Sequence, residues 1–216
     1  MNSKAVIMDS EQADSLRELG NIGVAYAATI LSSMLSAKIR IQVPEIALVN
    51  LGELYAYLDT ELAVHVIFQI QGDLDTGGYV ILHIPRESAI RLIDLMMGSG
   101  DLDLGPDWIF TEMDNHTIDE IGNAMIAAFF DGCAKLLHFS LVPSSPTSVL
   151  DIPHAVMESL MTTLPDIEDI DDVVLFKTEL ICSDYHITTT ILLLPSEGTL
   201  ELMLERLQQV LSDEME

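Results

Sequence analysis

The sequence predicts an α/β (α+β) fold: one pseudo-two-fold domain built from a duplicated helix–strands–helix unit, with the long helices packed on a shared sheet. Three observations lead there. Residues 14–34 and 112–137 both carry apolar side chains at helical spacing, and both contain a Glu-x-Gly-Asn sequence, Glu18 to Asn21 and Glu120 to Asn123. Three strand-like runs rich in β-branched residues follow each of these segments. Each set of strands then meets a proline, Pro85 or Pro195, that opens an amphipathic helix.

Taken in order, the first helix presents Leu16, Leu19, Ala27, Ile30, Leu31 and Met34 as its apolar face. The runs IRIQVPEIALV, LAVHVIFQIQG and GYVILHI read as strands, and Gly77-Gly78 as a hairpin turn. RESAIRLIDLMMG then forms a helix ending near Gly98, and residues 98–108 form the joint between half-repeats of about 10–100 and 110–212. The second long helix presents Ile118, Ile121, Met125, Ala128, Phe129 and Leu136, followed by strands in FSLVPSSPTSVL, DVVLFKTELICSD and YHITTTILLL. A helix from Pro195 and an acidic tail at 213–216 complete the single domain, residues 1–216. If the strands share one sheet, neither half folds alone.

The two halves differ in length. The Glu pair is offset by 120 − 18 = 102 and the proline pair by 195 − 85 = 110, so about eight extra residues lie between Asn123 and Pro195. Their candidate location is 151–172, where Pro153 starts a short helix bearing Val156, Met157, Leu160 and Met161 and Pro165 ends it. The acidic run after it, from Asp166 to Asp172, reads as a solvated loop, with cation binding the alternative.

Charge and composition exclude several classes of function. Nine Lys and Arg against 35 Asp and Glu give a net charge of −26, yet 49% of residues are hydrophobic, which excludes disorder. So few cations cannot track a phosphate backbone, and an anionic membrane surface repels the chain. No apolar run is long enough to span a bilayer, and the start lacks the pattern of a signal peptide, so a cytoplasmic location is expected. Cys133 and Cys182 have no metal-ligand or disulfide spacing, and the six histidines show no zinc pattern and read as surface or packing residues. The acidity suits either solvation in a salty cytoplasm or attraction of a basic partner.

The chemistry concentrates in the repeated pairs. Glu18 and Asn21 lie one helical turn apart on one face, as do Glu120 and Asn123. Gly20, Gly23 and Gly122 each cost the helices about 1 kcal/mol relative to Ala. One reading is that these glycines permit close packing and the Glu and Asn are merely exposed. The other takes the repeated departure from good helix sequence as a mark of function. Small residues follow on the same face, Ala25 and Ala28 in one half, Ala124 and Ala127 in the other, where another protein's surface could approach. An amide orients water well and serves poorly as nucleophile or general base.

This arrangement resembles the CheC family of chemotaxis phosphatases, with its relatives CheX and FliY. The first copy reads Asp14-x3-Glu18-x2-Asn21 and then Ala27-Ala28; the second reads His116-x3-Glu120-x2-Asn123 and then Ala127-Ala128. His116 departs from the family's acidic or hydroxyl residue, and Val43-Pro44 and Val142-Pro143 fit the layout of the two copies. The chain resembles the stand-alone form, so the C-terminal switch domain of FliY-like proteins is not expected.

The resemblance implies hydrolysis of the aspartyl phosphate on the response regulator CheY. Asn21 and Asn123 would place water, and Glu18 and Glu120 would dock on a regulator Lys. The regulator would supply Mg²⁺, so the chain needs no cofactor or metal of its own. The receptor deamidase CheD is an implied partner, and the 151–172 segment is a candidate surface for it. The expected state is a monomer or weak oligomer. The alternative is a non-catalytic adaptor that binds phosphorylated CheY and regulates CheD.

Overall fold

The computed structural model describes residues 10–41, 45–58, 60–72, 77–98, 109–163, 172–182 and 185–214. Helix α1 (Ser10–Met34) leads into strands β1 (Ile39–Ile41) and β2 (Glu45–Asn50), a 3-10 helix (Leu51–Ala56), β3 (Ala63–Gly72), β4 (Gly78–Pro85) and helix α2 (Arg86–Met97). The same order of elements follows: α3 (Glu112–Leu137), β5 (Leu141–Pro143), β6 (Thr147–Asp151), α4 (Pro153–Thr163), β7 (Asp172–Cys182), β8 (Tyr185–Pro195) and α5 (Glu197–Glu214). The run from Ile39 to Val49, read as one strand, is two short ones. The joint at 99–108, most of the acidic run at 164–171, Val43-Pro44 and the last two residues of the tail lie outside the described residues.

The strands pair antiparallel in the order β1-β7-β8-β4-β3-β5, with β2 also on β7 and β6 also on β3. The two halves therefore interlock. Strand β2 of the first half runs along β7 of the second from Glu45↔Lys177 to Asn50↔Asp172. Strand β6 of the second half runs along β3 of the first from Ala63↔Asp151 to Ile67↔Thr147. Cutting the chain between halves would leave β3 and β7 each with an unpaired edge, and open edges of this kind favour aggregation.

The sheet buries both faces. Val64, Val66, Phe68, Val80, Leu82, Ile84, Val174 and Phe176 face α1 and α3, whose Leu16, Leu19, Leu31, Ile118, Ile121 and Phe129 complete the larger core. Tyr79, Ile81, Val173, Leu175, Leu192 and Leu194 face the other way, beneath the 3-10 helix and α4. This two-sided burial explains why most of β4 and the Ile191–Leu194 end of β8 read as apolar runs instead of alternating ones. Ile30, expected in the core, is 38% exposed at the border of the packed stripe.

The local signals at helix ends act as their chemistry requires. Thr111 caps α3: its Oγ1 accepts from Asp114 N–H at 3.2 Å, while Asp114 Oδ2 accepts from Thr111 N–H at 2.9 Å. Gly98 ends α2 in the left-handed region (φ 65°), its N–H donating to Asp94 O at 2.8 Å. Gly78, after the β3–β4 turn, has φ 116°, and a Cβ there would lie 2.2 Å from Leu194 O, so only glycine fits.

The length difference between the halves falls at α4. The β2 and β6 starts are offset by 147 − 45 = 102, and the β3 and β7 starts by 172 − 63 = 109. The first half has a 3-10 helix where the second has the longer α4. Val156, Met157 and Leu160 are buried against the sheet, while Met161, expected beside them, is 43% exposed.

Candidate functional site

Glu18 and Asn21 stand on the outward side of α1, and Glu120 and Asn123 on the outward side of α3. Glu18, Glu120 and Asn123 are exposed and Asn21 is half-buried. The inward neighbours Leu19, Ile118 and Ile121 are fully buried, so packing fixes the orientation of each helix and hence of each pair. The two pairs stay on separate helices, and no hydrogen bond joins one to the other among the described residues.

The glycines beside these pairs serve packing. A Cβ on Gly20 would lie 2.5 Å from the Phe176 ring, one on Gly23 2.6 Å from the Phe129 ring, and one on Gly122 3.1 Å from Val66. The weak helix formers are the means by which α1 meets the sheet and α3 and α3 meets β3. Their repetition alone is thus no mark of function, and the functional reading rests on the exposed Glu and Asn.

The side chains of Glu18, Asn21 and Asn123 have no hydrogen-bond partner among the described residues, so their polar atoms are free for another molecule. Position 14 and its counterpart 116 behave differently. Asp14 pairs with Arg17 and leaves Glu18 alone. His116 Nε2 instead lies 3.4 Å from Glu120 Oε1, so the second carboxylate has an internal competitor. Both pairings are solvent-exposed, where such contacts contribute little to stability.

The expected alanine shelf is present in part. Ala25 is exposed, but Ala28 is 4% exposed and lies at the back of a shallow groove of about 360 Å³ with Thr29, Ser32, Ile39 and Ile41. The groove sits between α1 and β1, one to three turns beyond Asn21. Ala124 and Ala127 are half-buried. Tertiary placement of β1 makes the first groove, which helical periodicity could not show.

The remaining candidates are inert or structural. Cys133 is wholly buried among apolar side chains, and burial pushes its thiol far up, so it carries no thiolate chemistry. Among the described residues, no three His, Cys, Asp or Glu side chains are placed to hold a metal ion, and no helix is long and apolar enough to cross a membrane. Two histidines read as ordinary packing have a more specific arrangement. His65 and His83, register partners on β3 and β4, are 1% and 2% exposed, and His83 Nδ1 lies 3.0 Å from His65 Nε2. The signal available in sequence was a histidine inside each of two otherwise apolar strands, AVHVIF and VILHIP.

A carboxylate and an amide one turn apart can pair with a cation and orient water, and the amide is a poor nucleophile and general base. The CheC-like family model matches residues 11–48, the stretch from α1 through β2 that holds Glu18 and Asn21. The "CheY-P phosphatase CheC" of Bacillus subtilis is 33% identical over 157 residues, 70% of this chain and 72% of that protein. The "Putative CheY-P phosphatase CheC1" of Halobacterium salinarum is 24% identical over 191 residues, 88% of this chain and 93% of that one. The fold is shared with Thermotoga maritima FliY, at a TM-score of 0.74 and 20% identity, over 95% of this chain and 100% of that one. With a close match across most of a curated relative, and a fold and family model that agree, this chain belongs to the CheC family.

Proposed function

We propose that the chain is a CheY-P phosphatase that hydrolyses the aspartyl phosphate of the chemotaxis response regulator CheY. The observation that carries this reading is the pair of outward carboxylate–amide sets on α1 and α3, with both amides unpartnered among the described residues, in a chain of the CheC family. In this mechanism, water held by the Asn21 or Asn123 amide attacks phosphorus in line. The P–O bond to the regulator's carboxylate breaks, the carboxylate leaves, and inorganic phosphate is released. Glu18 or Glu120 pairs with a regulator Lys and sets the register, so that binding energy orients the water. Mg²⁺ supplied by the regulator would neutralise charge on the phosphoryl oxygens.

The test is release of inorganic phosphate when the purified chain is mixed with phosphorylated CheY and Mg²⁺. Acceleration over the regulator's own rate supports the phosphatase. Binding without acceleration would identify a non-catalytic adaptor.

CheD is the second partner in this reading, and α4 is the surface assigned to it. In support, α4 occupies the position of the first half's 3-10 helix, and it presents His154, Glu158 and Met161 outward. Glu158→Lys should impair CheD binding while phosphate release from CheY is retained.

A further inference from the structure

The two halves differ in what precedes the repeated Glu and Asn. Seven residues, or about two helical turns, bring a helix back to the same face. Counting back from the carboxylates, 120 − 7 = 113 is a methionine on α3, whereas 18 − 7 = 11 is a glutamate on α1. The outward stripe of the second half therefore runs Met113, His116, Glu120, Asn123, with Met113 about 10 Å from Glu120 along the helix axis.

Met113 is 59% exposed. Ile109, two residues before the Thr111 cap, is 78% exposed at the same end of α3, and no other large hydrophobic side chain among the described residues is as exposed as either. Isolated apolar side chains on a surface are ordinary. Met113 differs because it stands on the face that carries Glu120 and Asn123.

Fraying of the helix end does not account for this exposure. Thr111 and Asp114 close the start of α3 with reciprocal capping bonds, and Thr117 Oγ1 donates to Met113 O at 2.9 Å. Asn115 Oδ1 accepts from Ser148 Oγ and ties the same turn to β6. Ile118 and Ile121 are fully buried, which fixes the rotation of the helix. Met113 is thus held outward on an ordered turn, where covering it costs little backbone entropy.

A partner seated on Glu120 and Asn123 also covers Met113, since a small domain is about 30 Å across. Methionine is unbranched and polarizable, and adapts to apolar surfaces of irregular shape. His116, between the two, lies 3.4 Å from Glu120 Oε1, so the carboxylate alone is a weaker handle here than in the first half.

We propose that Met113, with Ile109 at its margin, is an apolar docking residue of the second site. It selects a regulator surface on which an apolar side chain lies about 10 Å from the lysine paired with Glu120. This element belongs to the second half alone, so the two sites prefer different partner surfaces. The proposal rests on the reading of the chain as a CheY-P phosphatase.

The experiment follows phosphate release from CheY-P with Mg²⁺ on the full chain in two backgrounds. Asn21→Ala leaves only the second site to position water, and Asn123→Ala only the first. In the Asn21→Ala chain, Met113→Ser should raise KM about fivefold while kcat stays within about twofold. Met113→Leu, which keeps the apolar area, should recover most of that loss. In the Asn123→Ala chain, Met113→Ser should move KM by less than about twofold. A purely structural role would disturb both backgrounds and the circular dichroism alike. An unmoved KM in the Asn21→Ala chain overturns the proposal, as does an equal rise in both backgrounds or an Asn21→Ala chain that releases no phosphate. A parent chain that releases no phosphate refutes the phosphatase reading itself, and this proposal with it.

Discussion

Gly23 and Gly132 face each other where α1 packs on α3: a Cβ on Gly132 would lie 3.0 Å from Gly23 Cα and 3.1 Å from Ile22 O. The two long helices approach to the limit that a hydrogen side chain allows. That approach seats the Phe129 and Phe176 rings 5.3 Å apart beneath α1.

Replacing either glycine by alanine should therefore destabilise the protein despite the better helix propensity of Ala. Propensity contributes about 1 kcal/mol in favour of Ala, and overpacking costs about 1–3 kcal/mol. For Gly23→Ala the new Cβ meets a fully buried Phe129 ring at 2.6 Å, so overpacking wins. Urea denaturation should show a net loss of up to about 2 kcal/mol. A gain in stability would mean that the helices separate freely.

Asn21→Ala and Asn123→Ala would remove the amides proposed to position water, and nothing from the core. Each single variant should keep part of the phosphate release, and the double variant should lose about a hundredfold, or roughly 3 kcal/mol of transition-state stabilisation. Phosphate release from CheY-P at saturating chain measures it. Full activity in the double variant would refute the role of the amides.

Glu18→Ala and Glu120→Ala should raise KM more than they lower kcat, because docking and not bond cleavage is lost. The two should differ. Glu18 is unpartnered among the described residues, whereas Glu120 already has His116 at 3.4 Å. Glu18→Ala is therefore expected to raise KM more, and the effect should shrink with added salt as exposed charges are screened. Equal KM values in both variants and the parent would assign the carboxylates another task.

The His65–His83 pair makes stability depend on acid. Burial lowers His65 from its ordinary 6.5 to about 4, opposed by backbone groups of Ala63 and Val149 and the charge of Asp151. Burial first, then His65 and Lys177, lowers His83 to about 3. Both are neutral when folded, and the unfolded chain binds the extra protons. Their stabilisation is thus complete above pH 6.5 and is lost as pH falls toward 4 and then 3. The loss for His65 alone is about 3 kcal/mol. Chemical denaturation across this range should show it, and a His65→Leu, His83→Leu variant should be flatter between pH 6.5 and 4. An equally steep variant would place the acid sensitivity in the carboxylates.

The helices were legible because their apolar spacing is a local property, and the strands because β-branched runs between turn residues have few other uses. The outward placement of Glu18, Asn21, Glu120 and Asn123 followed from the same periodicity: fixing Leu19 and Ile121 inward fixes what lies opposite. Strand partners were not legible, since β2 on β7 and β6 on β3 are contacts between residues 80 or more positions apart. The purpose of Gly20, Gly23 and Gly122 was equally hidden, because it depends on which ring or helix arrives at each surface. The same holds for His65 and His83. Sequence alone determined the helices, their outward Glu and Asn, and where the extra residues of the second half lie. Tertiary structure alone decided that two strand histidines share a hydrogen bond and that Ala28 backs a groove beside β1, because both depend on distances that only the paired sheet sets.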